Sequence, residues 1–253
     1  MVGPTASLTP LSRADGSASY QCPSTGSNIL GSVNAPIELP GRRDALKPED
    51  ATVEVFVKPG TAPGGVGERY VEGIIKNMLG KLILGREKGY ARRGVVITLA
   101  IVGGESVARG DSYLTLLPAL LHTSLLALLS ASVPLSMTYS ATVLAVDASG
   151  EIIREPSVKE AAAAASLHVF AFSSNGHLLL NESQGPFDFE TWEKVHQRAL
   201  AICHGTVAPS SDGDVAMAED VDGQPLEGAL REAMEEKSSK ITPGRSTRPE
   251  CWI

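Results

Sequence analysis

The residues able to do chemistry are scattered along this chain rather than gathered into a motif. Five histidines, His122, His168, His177, His196 and His204, occur without an HExxH pair or other paired ligand spacing, so no zinc or other metal site is expected. Cys203 and His204 are adjacent, and neighbours on a helix point apart. The three cysteines, Cys22, Cys203 and Cys251, are far apart, which suits free thiols in a reducing compartment better than a disulfide framework. Serine-rich stretches around Ser130 and Ser210 lack the Gly-x-Ser-x-Gly elbow of a nucleophilic serine. Gly60-Thr-Ala-Pro-Gly-Gly-Val-Gly67 comes nearest to a phosphate-cradling loop, but no Lys-Ser/Thr pair follows it and no GxGxxG occurs. It reads as a plain loop, and no cofactor is expected.

Composition narrows the classes. With 253 residues, 43% hydrophobic and 20% charged, the chain has enough apolar material for a sizeable core. Its net charge of −7 is a poor match for autonomous nucleic-acid binding, which needs a basic face to neutralise phosphates. Any nucleic-acid contact is expected to be local or shared with partners. Met-Val-Gly-Pro-Thr-Ala-Ser at the start lacks a charged n-region and a continuous apolar core, so no secretory signal is expected and the mature chain is expected to begin there. The apolar run from Leu114 to Leu135 approaches membrane-span length, but Pro118, His122 and interspersed Thr and Ser argue for a helix buried between two sheets. No membrane association is expected.

The elements that would position any site can be read in order. Asp15-Gly16 has turn chemistry, and Asn28 to Ala35 alternates with period two, so Arg13–Tyr20 and Thr25–Glu38 predict a hairpin. A polar loop follows at Gly41–Asp50, then a strand at Ala51–Val57. Val71, Ile74, Ile75, Met78, Leu79, Leu82 and Ile83 recur at helical spacing, predicting an amphipathic helix over Glu68–Leu84 with Gly85 as a stop signal. Gly94–Val102 is a β-branched strand, and the loop Glu105–Asp111 precedes the apolar helix, which ends near Ser130. Met137–Val146 reads as a strand closed by the Asp147–Gly150 turn, and Ser166–Ser173 with His177–Glu182 as a second hairpin around Ser174-Asn175-Gly176. Asp188 is placed to N-cap a helix over Phe189–His204. Residues 1–205 therefore read as one α+β domain, with mixed β-sheets and helices packed between and against them. Residues 206–253 read as a flexible acidic linker and C-terminal tail: a linker over Val207–Pro225, a marginal helix over Leu226–Lys237, and a loose end over Thr242–Ile253.

Several of these segments share an order with a known family. Arg13-Ala-Asp-Gly-Ser-Ala, a short turn, and a strand ending in Ala35-Pro-Ile-Glu38 resemble the opening hairpin of the RNase PH family. Val57-Lys-Pro, Gly65-Val-Gly-Glu-Arg69, Ile75-Lys-Asn77, Tyr90-Ala-Arg92, Ser132-Val-Pro-Leu135 and Gly150 to Pro156 are similar to further family segments, with Glu155 in place of the usual aspartate. The resemblance covers about Leu11 to His204 and is closest to ring subunits of the RNA exosome.

That resemblance implies an RNase PH-like fold and a hexameric ring of RNase PH-type subunits. It also implies cap subunits with RNA-binding domains on one face, and RNA threaded through the channel to a separate catalytic hydrolytic nuclease. Nuclear and nucleolar, and also cytoplasmic, location would follow. Active members use inorganic phosphate to cleave RNA from its 3′ end, holding the anion at the start of the long helix. Those positions fall at about Thr115-Leu116-Leu117, where leucine offers no anion ligand. The upstream Arg109 reads as a solvated loop arginine. The expected pair of carboxylates is reduced to Glu160 in an alanine run, and His168 on an apolar strand reads as a packed residue rather than a base. The expectation is therefore a subunit without catalytic residues, with Arg69, Arg92 and Arg93 as candidate RNA contacts. The alternatives are a working phosphorolytic exoribonuclease completed by a neighbour or by Arg109 and Glu160, and an unrelated α+β binding protein.

Overall fold

Short alternating runs build the first sheet. In the computed structural model, β2 (Gly16–Gln21) and β3 (Asn28–Ile37) pair antiparallel, and β1 (Thr5–Leu8) adds to the far side of β2. β4 (Thr52–Pro59), helix α1 (Val66–Leu82) and β5 (Gly94–Gly103) form a crossover unit in which β4 and β5 are parallel. The resulting five-stranded order is β1-β2-β3-β5-β4. The structure describes residues 5–22, 25–38, 49–60, 64–103, 113–205 and 226–241. Most of the polar loop at 41–50, the loop at 105–111 with Arg109, the linker at 207–225 and the tail at 242–253 lie outside them.

The second sheet has the order β7-β6-β8-β9. β6 (Tyr139–Val146) and β8 (Ser166–Ser173) are buried at every position, because both faces are covered. Val143, Ala145, Val169 and Ala171 face the central core, whereas Leu144, Val146, Phe170 and Phe172 pack against Val195, Ala199, Ile202 and Cys203 of α4 (Phe189–His204). β7 (Ile152–Arg154) and β9 (Leu178–Gln184) flank them. The central layer is α1 with α2 (Leu117–Ser130), the latter apolar nearly all round and touching both sheets. Gly16 and Gly31 let the first sheet close on α2: a Cβ on Gly16 would sit 2.5 Å from the Ala127 carbonyl, and one on Gly31 2.7 Å from Thr123 Cγ2. The layers therefore run sheet, helices, sheet, helix, the α+β arrangement the sequence predicts.

Some boundaries differ from the sequence reading. α1 begins two residues before Glu68 and ends at Leu82, with Ile83 N–H closing the last turn on the Leu79 carbonyl, before Gly85. Asp188 occupies the N-cap of α4 without a side-chain cap bond; its carbonyl accepts from Trp192 N–H at 3.0 Å. The helix placed at Leu226–Lys237 is longer, α5 (Leu226–Ile241), and it is docked: Leu226 and Leu230 are buried, and it touches β1, α4 and β6. A short α3 (Val158–Ala163) accounts for part of the alanine run.

Candidate functional site

The start of α2 is the place that the family resemblance gives to an anion, and the described residues there are apolar and buried. Leu116 is the N-cap residue and has no side-chain oxygen, while Pro118 at the second helical position removes an N–H donor. Leu116 and Leu117 are only 2% and 0% exposed, and Thr115 is buried beside them. The space next to this turn is a cavity of about 20 Å³ with a mixed lining, in which Tyr20, Thr25, Thr115, His122, Thr142 and Glu155 stand beside apolar residues such as Pro118 and Val143. That is room for one water, whose minimum is about 10–15 Å³, and not for a tetrahedral oxyanion.

His122 is the main polar group in that part of the core. Its Nε2 accepts from Ala141 N–H at 3.0 Å, and its Nδ1 lies 3.1 Å from the Tyr20 hydroxyl. Burial pulls its pKa down to about 4, so it is a neutral imidazole at physiological pH. Tyr20 is likewise pushed above the ordinary tyrosine value, by burial first and then by the charges of Cys22 and Glu155.

Glu160 and His168, the acid and base candidates weighed from the sequence, are each bonded to serines. Glu160 sits in the first turn of α3, where its Oε2 accepts from Ser157 N–H and Ser157 Oγ–H at 2.8 Å each. Those bonds hold its carboxyl below the usual range, so it serves as an exposed helix cap. His168 is fully buried on β8, between Ser166 Oγ at 3.0 Å and Ser183 Oγ at 2.9 Å, and burial lowers its pKa. Among the described residues, no group of three or more His, Cys, Asp or Glu is arranged to hold a metal ion.

The three arginines do not converge. Arg69 lies in the first turn of α1, 75% exposed, with Nη1 3.1 Å from Glu72 Oε2. Glu72 in turn accepts from Val57 N–H at 2.9 Å, so this pair also covers the outer edge of β4. Arg92 and Arg93 lie at the other end of α1, about 20 Å along its axis at about 1.5 Å per residue. Arg92 N–H donates to the Asp50 carbonyl and the Arg93 carbonyl accepts from Thr52 N–H, fixing their backbone where β4 and β5 begin while both side chains stay exposed.

Two features escape the sequence reading. Glu68, 6% exposed, accepts from Tyr113 Oη–H at 2.6 Å and from Gly65 N–H at 2.7 Å, tying the start of α1 to the turn before α2. Burial raises its pKa, yet these hydrogen bonds outweigh that and leave it lowered overall. The residue pattern Gly65-x-x-Glu68 was a usable capping signal, but nothing local pointed to Tyr113. Arg13 also borders an open cleft of about 380 Å³, with Ser12, Ser32 and Asn34 among its walls.

No family model matches the chain. Among solved structures, a rice (Oryza sativa) Rrp46 is similar with a TM-score of 0.67 and 26% identity, over 78% of this chain and 87% of that one. An archaeal exosome core subunit gives 0.61 at 12% identity over 78% and 81%. A chain of the Archaeoglobus fulgidus exosome with RNA bound to the active site gives 0.59 at 13% over 78% and 84%. The two archaeal likenesses establish the fold; the rice likeness carries sequence agreement as well.

Proposed function

We propose that this chain, an RNase PH-like exosome ring subunit of the Rrp46 type by its fold and its likeness to the rice protein, works without nuclease chemistry of its own. The observation that carries the reading is the turn Thr115-Leu116-Leu117-Pro118, which is buried, lacks a cation, and adjoins a space fit for a single water. Glu160 is committed to Ser157, and His168 to two serines. The contribution is then structural. The chain supplies one segment of a ring channel that guides RNA 3′ ends to a separate hydrolytic nuclease, with cap subunits above, in rRNA maturation and RNA turnover. Nuclear, nucleolar and cytoplasmic pools would be served. Arg69, Arg92 and Arg93, at opposite ends of α1, offer separate rather than joint contacts to RNA, and Arg13 adds another cation at an open cleft.

The test pairs assembly with activity. Affinity purification from native extract is expected to return the chain in stoichiometric association with other RNase PH-type subunits, in a particle far larger than 26.5 kDa. The isolated chain is expected not to shorten a 3′ RNA end when phosphate is added. Phosphate-dependent degradation abolished by Arg109→Ala with Glu160→Gln would instead identify a working phosphorolytic exoribonuclease.

A further inference from the structure

The cavity beside Tyr20 supports an inference that does not depend on the ring reading. The Ala141 backbone N–H can only donate, so the His122 Nε2 it meets at 3.0 Å carries no proton. The single ring proton is then on Nδ1 and is donated to the Tyr20 oxygen, 3.1 Å away. Tyr20's own hydroxyl hydrogen has to point elsewhere. Tyr20 lines the cavity of about 20 Å³, and two further cavity residues, Thr25 and Thr142, are 9% and 1% exposed with hydroxyls that bond no other protein group. Leaving such buried hydroxyls unsatisfied is costly. One water needs about 10–15 Å³ and two to four polar partners, and the cavity supplies both.

We propose that this cavity binds one ordered water, which accepts from Tyr20 Oη–H and bonds the Thr25 and Thr142 hydroxyls. Thr25 belongs to the β2–β3 connection and Thr142 to β6, so the water ties the first hairpin to the second sheet. The hydrogen-bond chain runs in one direction: Ala141 N–H to His122, His122 to Tyr20, Tyr20 to the water. A phosphate ion is disfavoured by volume and by the Glu155 carboxylate in the cavity wall.

Crystals of the full chain, with and without added inorganic phosphate, decide the occupant. A single peak within about 2.6–3.2 Å of the three oxygens is expected in both, and its loss in Thr142→Val. A dry cavity overturns the water and leaves the non-catalytic reading standing, whereas tetrahedral density overturns both. Nitrogen-15 NMR of His122 in the unaltered chain gives a second readout that needs no variant. A protonated, pyrrole-type Nδ1 with a pyridine-type Nε2 is expected, and the opposite assignment removes the donor chain on which the water depends.

Discussion

Single side chains in this protein are defined by partners far away in sequence, and their titration follows from that. Burial holds His122 at about 4, below an ordinary value of 6.5. The unfolded chain therefore takes up the proton first as pH falls. The stability linked to neutral His122 is complete above about pH 6.5 and is lost progressively toward pH 4, up to about 3 kcal/mol at about 1.36 per pH unit. Buried His168 is shifted in the same direction. Urea unfolding at pH 7.5 and pH 4.5 is expected to show this loss, and His122→Gln is expected to flatten it; an unchanged slope in the variant would assign the acid lability elsewhere. Glu68 contributes in a lower window, since a depressed carboxylate stabilises above its unfolded pKa and loses that contribution as pH falls through the folded one. Glu68→Gln places an amide donor where two donors already point, Tyr113 Oη–H and Gly65 N–H. A loss of about 1–3 kcal/mol is expected, with faster amide exchange at the start of α1. The long-range pairs were not legible in sequence: His122 lies 102 positions from Tyr20 and Glu68 lies 45 from Tyr113, and no local pattern reports such pairs.

Elements were legible where periodicity was long and unbroken. The alternation of buried and half-buried positions in β3, the apolar face of α1 and the largely apolar α2 all follow directly from residue order. β1 and β7 were not foreseen, because four and three residues are too few for a period to appear and each exists by pairing with a longer strand. The docking of α5 was hidden for a similar reason: its weakly apolar sequence gains stability from Leu226 and Leu230 meeting the domain. The closeness of sheet and helix at Gly16 gives a clean test. Gly16→Ala drives a methyl into the Ala127–Ala131 backbone and is expected to destabilise by about 1–3 kcal/mol, whereas Gly64→Ala meets nothing within 4 Å and is expected to stay within about 0.5 kcal/mol in the same denaturation assay. α5 can be probed through Cys203, which is fully buried with its thiol pushed up to about 12, first by burial, and which shares a cluster with Leu226. The full chain is expected to protect Cys203 from a maleimide. A chain ending at Gly205 is expected to label there, as mapped by mass spectrometry; continued protection would mean that α4 alone shields the thiol.

At the scale of the whole molecule, the proposed channel role has to be reconciled with an acidic chain. The 22 Lys and Arg are outnumbered by 29 Asp and Glu, and several cations are matched locally: Arg69 with Glu72, Lys194 with Glu190, Arg231 with Glu227. Exposed pairs of this kind add little stability, but they reduce the positive field that a phosphate backbone would feel. Affinity for RNA depends on how many phosphates are neutralised together, and Arg69 stands at the opposite end of α1 from Arg92 and Arg93. The isolated chain is therefore expected to bind a single-stranded RNA more weakly than about 10⁻⁴ M at about 0.15 M salt, with almost no salt dependence in fluorescence anisotropy. A ring containing the chain is expected to bind with a steep negative salt slope, because cations from several subunits then face one strand. Arg92→Ala with Arg93→Ala in that ring is expected to reduce the slope by about one to two, at about 0.7 per phosphate contact on single strands, without changing assembly. Tight, salt-sensitive binding by the chain alone would place a continuous basic surface on this subunit, and a ring whose slope ignores both arginines would move the RNA path to other residues.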